Sequence, residues 1–238
     1  FHNCEKAEVL TFKIIFYMKR NTTTHTTQLS FSVPISVQLN ETDSIDLIDE
    51  LLINDYVKDA LTHTLQSQAR FPSNLGFSRR EADIYFQQEA YDKALQIYDK
   101  LSDEKHSPKR QLCLAVKLMN CNKLEESETI IQALKANESV NISSRAYAIL
   151  ADIAFLKKDY RRMYRWSREA IKRNPFINSF AEKFYIAVEL TNNHHKSIPF
   201  YETLLDDNPY STSMWLHLSK CHSKLGFTIQ ARDCMEMA

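Results

Sequence analysis

An internal repeat of 34 residues constrains this chain more than any other feature. Arg-Asn-Pro-Phe at 173–176 and Asp-Asn-Pro-Tyr at 207–210 lie 34 residues apart, and Arg-Phe-Pro-Ser at 70–73 has the same character. With that proline set at position 32, units start at 41, 144, 178 and 212. Aligning the interior small residues adds starts at 75 and 108. The six units fill residues 41–238, the last of them truncated.

The spacing inside each unit predicts two helices. Trp215, Leu218, Ser219 and His222 occupy positions 4, 7, 8 and 11 of the last unit, and Tyr147, Leu150, Ala151 and Ala154 do so in the unit at 144. Positions 4, 7, 8 and 11 share one helical face, as do 20, 23, 24 and 27. Each unit therefore reads as two amphipathic helices joined by a turn near positions 15–16. A small residue at position 8 or 20 lets the pair approach closely. Proline at 32 cannot continue a helix and starts the next turn. A lone pair exposes an apolar face, so stacking on neighbours stabilises it.

Composition agrees. Hydrophobic residues make up 44% and charged residues 25%, as in ordinary globular proteins. Two glycines among 238 residues suit helices, which need few positive-φ turns. Thirty Lys and Arg balance thirty Asp and Glu, so net charge draws the chain to neither nucleic acid nor an anionic membrane. No apolar run is long enough for a membrane-spanning helix. Five cysteines without a C-x-x-C pair form neither a disulfide framework nor a zinc module.

At these positions the chain resembles the tetratricopeptide-repeat family, whose pattern is Trp-x2-Leu-Gly-x2-Tyr, then Ala-x3-Phe, Ala and Pro. The resemblance implies an all-α, right-handed solenoid of antiparallel helix pairs over 41–238, behind an extended or disordered segment at 1–40. Departures are specific. Tyr185 stands at position 8, where the family wants a small residue, so packing there should be looser or shifted. Glu81 replaces leucine at position 7. Ser127, Met163 and Ser197 replace alanine at position 20. The two-residue excess around Glu138–Asn141 should lengthen one turn.

Residues 1–40 carry no repeat. Leu29, Phe31, Val33, Ile35, Val37 and Leu39 alternate with mostly polar residues, as do Leu10, Phe12, Ile14 and Phe16, which fits a hairpin. A disordered leader is the alternative. Met18-Lys19-Arg20 reads as an initiator methionine with a basic start, placing residues 1–17 upstream of native structure in a cytoplasmic protein. The other reading ends a lipoprotein signal at Phe-His-Asn-Cys, with Cys4 acylated. The truncated final unit suggests contact with further repeats or domains beyond residue 238.

No catalytic constellation appears. His217 and Cys221, four apart, supply two ligands and not a metal site. His194 and His195 fall at a turn. Cys113, Cys121 and Cys234 read as buried free thiols. No catalytic residue, metal or cofactor site follows, and no small-molecule substrate. The basic run at 157–173, with Tyr160, Tyr164 and Trp166 interleaved, has the residue types that grip nucleic acid. Its aromatics fall on core positions, however, which weighs against that partner. Residues 41–60 are acidic, with seven acids against Lys58.

The resemblance further implies that the first helix of each unit lines a concave groove through positions 2, 5, 9, 12 and 13. Carried onto this sequence, those positions are Arg79, Asp83, Phe86 and Gln87, then Met119 and Asn120, then Arg145, Asp152 and Phe155. Ser179, Glu182, Ile186 and Glu189 follow, and Leu216, Lys220 and Lys224 come last. Apolar anchors among charges of both signs suit a protein or peptide partner. The lysine and asparagine pattern of the family's chaperone-tail binders is absent: Arg79 and Asp83 do not supply it, nor do Cys113, Ile149 and Lys183.

Overall fold

The computed structural model describes residues 39–238. The alternating stretch at 10–16, all of that at 29–39 but Leu39, Met18 and Cys4 lie outside the described residues. Among the described residues the chain is all-α, with twelve α-helices and one 3₁₀ turn at Ser102–Glu104. The first helices of the units are α1 (Glu41–Ile53), α3 (Leu75–Gln87), α5 (Pro108–Asn120), α7 (Val140–Leu156), α9 (Asn178–Thr191) and α11 (Thr212–Lys224). The second helices are α2 (Val57–Arg70), α4 (Tyr91–Tyr98), α6 (Leu124–Leu134), α8 (Tyr160–Arg173), α10 (His194–Asp207) and α12 (Thr228–Glu236). The chain divides into two compact units with the boundary after His63, inside α2.

In the first unit, Asn40 caps α1 by accepting a hydrogen bond from the Asp43 amide at 2.8 Å. Leu47, Ile48 and Leu51 form the buried stripe of that helix. In the second unit, Asn74, Ser107, Asp159 and Ser211 cap α3, α5, α8 and α11 in the same way.

One turn recurs in every repeat. Asp55, Glu89, Asn122, Lys158, Asn192 and Gly226 all have positive φ, between 54° and 82°. Each stands at position 15 of its unit. The following amide returns to the carbonyl of position 11: Ala90 to Tyr85 at 2.9 Å, Asp159 to Ala154 at 2.8 Å, Phe227 to His222 at 2.9 Å. The position-15 amide bonds the position-12 carbonyl, as Lys158 does to Phe155 at 2.9 Å. This left-handed termination satisfies the last carbonyls of the first helix and reverses the chain into the second.

The connection before α7, 135–139, has five residues where those at 71–74, 174–177 and 208–211 have four. Helix α7 itself begins at Val140, ahead of position 1, and has 17 residues where α5 has 13. Four added residues make about one helical turn, so the register of the inward face is kept.

Close approach of paired helices is visible at positions 8 and 20. The fully buried Ser127 hydroxyl donates to the Ala115 carbonyl at 2.7 Å, and Ser219 donates to the Ala231 carbonyl at 2.6 Å. Where Tyr185 takes position 8, α9 and α10 approach each other far less than α7 and α8 do. The space between them is filled by rings: Phe184 lies edge-on to Phe200 at 5.1 Å and tilted against Tyr201 at 5.3 Å. Packing there is shifted, not empty. Glu81, in place of leucine, accepts a hydrogen bond from Gln68 at 2.8 Å, which satisfies its carboxylate.

Candidate partner-binding face

The candidate groove residues fall into two groups. Four of them, Arg79, Asp83, Phe86 and Arg145, are engaged by the protein's own groups. Arg79 pairs with Asp103 and, at 2.8 Å, with Glu104. Asp83 accepts hydrogen bonds from the Tyr98 hydroxyl and, at 2.7 Å, from Lys109. Phe86 is buried, and the Arg145 guanidinium lies 5.0 Å from its ring centroid. Arg145 is buried too, held by Asn141, the Tyr91 hydroxyl, the Gln87 carbonyl and Glu89. Gln87 and Asn120 are exposed and Met119 is half-buried. Phe86 and Arg145 therefore present no surface to a partner.

The C-terminal repeats differ. Lys183 binds Asp152 at 2.7 Å, joining α7 to α9. Tyr185 stacks on the His217 ring at 4.6 Å, Lys220 lies over Tyr185 at 5.1 Å, and Lys224 reaches Glu189 at 3.4 Å, joining α9 to α11. Beside these links stand exposed apolar side chains: Phe155, Leu156, Ile186 and Leu190 are each 42–49% accessible. Glu182, Lys220 and Lys224 are exposed and Leu216 is half-buried. Leu156 and Leu190, two of these anchors, stand at position 13 of their units, so the repeat register alone marks them.

Electrostatics fix the charge states. Glu189 is pushed down to about 2, first by the hydrogen bond from the Tyr185 hydroxyl and then by that from His194 at 3.0 Å. It is a carboxylate with its charge already engaged. Burial raises Asp152, and Lys183 opposes that rise. Burial pushes His217 down to about 4, with Lys220 adding to the effect, so the ring is neutral at pH 7. Neither His217 nitrogen has a hydrogen-bond partner among the described residues. Such an imidazole acts as an aromatic spacer against Tyr185.

His217 and the fully buried Cys221 are not part of a metal cluster, and no group of three ligands occurs among the described residues. His194 is buried at the start of α10 and bonds Asn192 and Glu189. Cys113, Cys221 and Cys234 are buried free thiols, the first two pushed up to about 12 by burial. Cys121, expected among them, is exposed, because it caps the C-terminus of α5. An open cavity of about 520 Å³ is lined by His195, Lys196, Ile198, Pro199, His222, Phe227 and Gln230. No described helix is long and apolar enough to cross a membrane.

From α3 onward, stacked helix pairs, each broken by a left-handed residue at position 15, define an α-solenoid. Its fold is that of the tetratricopeptide-repeat proteins. A tetratricopeptide repeat protein from Parabacteroides merdae, 15% identical, aligns over 86% of this chain and 81% of its own with a TM-score of 0.54. The pilF protein of Pseudomonas aeruginosa is 12% identical and aligns over 80% of this chain and 86% of its own, with a TM-score of 0.52. IFIT1, in a structure with m7Gppp-AAAA, is 13% identical and aligns over 99% of this chain and 56% of its own, with a TM-score of 0.58. No protein-family model matches the sequence, and no curated protein matches it.

Proposed function

We propose that this chain is a non-enzymatic scaffold that docks an extended or helical peptide on the face formed by α7, α9 and α11. The observation that carries the reading is the contrast between this face and the corresponding positions on α3 and at the start of α7. Arg79, Asp83, Phe86 and Arg145 are engaged by the protein's own groups, whereas Phe155, Leu156, Ile186 and Leu190 leave apolar surface open among Glu182, Lys220 and Lys224. Apolar side chains of a peptide would enter between the first helices while the flanking charges set its register. Buried free thiols suit a reducing, cytoplasmic setting. The same face would serve equally in a larger protein that carries a catalytic or sensory domain elsewhere.

A nucleic acid on the basic stretch 157–173 is the weaker reading. IFIT1, with its m7Gppp-AAAA, stands on its side. Against it, Tyr160, Tyr164 and Trp166 are half-buried and offer little stacking surface.

The test is affinity capture with the full chain from a lysate, comparing wild type with Phe155→Ala and Lys220→Glu after circular dichroism shows both variants folded. Loss of the same retained proteins from both variants is expected. An unchanged set would remove this face from consideration.

A further inference from the structure

The second helix of the fourth repeat carries a feature the peptide-docking face does not use. On α8, Arg161, Arg165, Arg168 and Lys172 recur at intervals of four, three and four residues and form one exposed stripe, opposite the buried Met163, Ser167 and Ala170. None of these four cations, nor Arg173, has a carboxylate partner among the described residues; on this helix only Arg162 does, with Asp159 at 3.3 Å. Three of the guanidiniums rest on aromatic rings instead. Arg165 lies 4.6 Å from the Trp166 ring, Arg168 4.4 Å from Phe200 and Arg173 4.7 Å from Tyr147. A guanidinium laid on a ring keeps its N–H edges free, and its position is already set before a carboxylate arrives.

The complementary element is in the same chain. Helix α1 holds Glu41, Asp43, Asp46, Asp49 and Glu50 and no basic residue. Asp43, Asp46 and Glu50 share a stripe, and none of the three has a cationic partner among the described residues. Their spacing is three then four. Arg165, Arg168 and Lys172 repeat that spacing in the same direction, and Arg168, Arg165 and Arg161 repeat it in reverse. Two such helices side by side bring three carboxylates opposite three cations in either orientation.

We propose that two copies of this chain associate through α1 of one against α8 of the other. The contact is heterologous, so each added copy leaves an α1 and an α8 unused, and assembly grows with concentration. Exposed ion pairs are individually weak and screened by salt, which makes the association reversible and salt-sensitive.

Sedimentation velocity of the full chain tests this. Wild type is expected to form species of increasing size with concentration at low salt and to return to monomer at about 0.5 M NaCl, where the screening length is only a few ångströms. The triple variant Arg161→Glu, Arg165→Glu, Arg168→Glu and the triple variant Asp43→Lys, Asp46→Lys, Glu50→Lys should each be monomeric alone at low salt. Mixed together they should associate, because the reversed α1 of one now meets the reversed α8 of the other. The substitutions are on exposed or half-buried positions, and circular dichroism reports that the fold is kept. A wild type that stays monomeric at low salt, or an association that neither triple variant changes, overturns the proposal. So does a monomeric wild type that binds a single-stranded RNA oligonucleotide and loses it in the arginine variant, which would assign α8 to nucleic acid.

Discussion

The Ser179 hydroxyl donates a 2.8 Å hydrogen bond to the Glu89 carboxylate, across ninety residues of chain. Glu89 is the left-handed turn residue between α3 and α4, and Ser179 opens α9. The same carboxylate oxygen faces the buried Arg145 guanidinium at 3.4 Å. Arg145 in turn holds Tyr91 at 2.9 Å and Asn141 at 2.9 Å. The second repeat is thus tied to the fourth and fifth, across the third, by one polar cluster. Removing Arg145 strands the Asn141 and Glu89 groups and empties the space over Phe86, so Arg145→Ala should cost on the order of 3 kcal/mol. Glu89→Gln keeps the length and the backbone, and leaves Arg145 its other acceptors. It should cost about 1 kcal/mol or less, since Glu89 is partly solvated. Urea unfolding measures both, and the reverse order would mean that Arg145 depends on Glu89 alone.

That cluster also marks where the sequence stops being readable. A period reports what each unit does with itself and its neighbours, which is why position 15 falls on every left-handed residue from Asp55 to Gly226. It carries nothing about which repeats meet across an intervening one. Arg145 and Phe86 fall at positions 2 and 12, which the family resemblance places in the groove. Both are buried because Arg145 reaches back to the α3–α4 turn. The excess at Glu138–Asn141 is equally ambiguous: extra residues can extend a loop or a helix, and here both the connection at 135–139 and α7 are longer than their counterparts. Cys121 is exposed and not buried because it sits one residue past the end of α5 rather than inside it.

Gly226 isolates the cost of the recurrent turn. A Cβ built on it would meet nothing within 4 Å, so only its φ of +82° opposes substitution. Gly226→Ala should destabilise by about 1 kcal/mol. Lys158, at φ 59°, is an L-residue in the same conformation, and Lys158→Gly should stabilise by a few tenths to about 1 kcal/mol despite the extra unfolded-state entropy. Chemical denaturation of the pair gives opposite signs if the dihedral governs, and the same sign if it does not.

His217 makes stability depend on pH in a defined window. Its ring is buried between Tyr185 and Tyr201, with Lys220 and Cys221 on its own helix, and its pKa falls from 6.5 to about 4. Above pH 6.5 the imidazole is neutral folded and unfolded and contributes no slope. Between 6.5 and 4 the unfolded chain takes up a proton that the folded one refuses, so stability falls as pH falls, and it levels off below 4. Glu189 adds a separate loss lower down, from about 4.5 to 2, as its bonds to Tyr185 and His194 are given up. His217→Phe keeps a ring against Tyr185 and should remove only the upper step. Thermal melts between pH 7 and pH 4 check this, and an unchanged slope in His217→Phe would assign the step to another group.

How close two paired helices lie depends on the side chains at positions 8 and 20. Ser127 is fully buried at position 20, and its hydroxyl reaches the Ala115 carbonyl of the paired helix. Ser127→Ala loses one hydrogen bond, while that carbonyl keeps its place in α5. The better helix propensity of alanine offsets part of the loss, so the net cost should stay below about 1 kcal/mol. Ser127→Leu has no room to enter and should cost about 1–3 kcal/mol by forcing α5 and α6 apart. The repeat containing Tyr185 sets the comparison: there a ring already stands at position 8, and Phe184, Phe200 and Tyr201 fill the widened space. Ser197, the position-20 partner on α10, is fully buried too, and its hydroxyl lies 3.3 Å from that of Tyr164, so leucine there should also cost about 1–3 kcal/mol. A much smaller loss in thermal unfolding would show that the separation of α9 and α10 leaves room at that position.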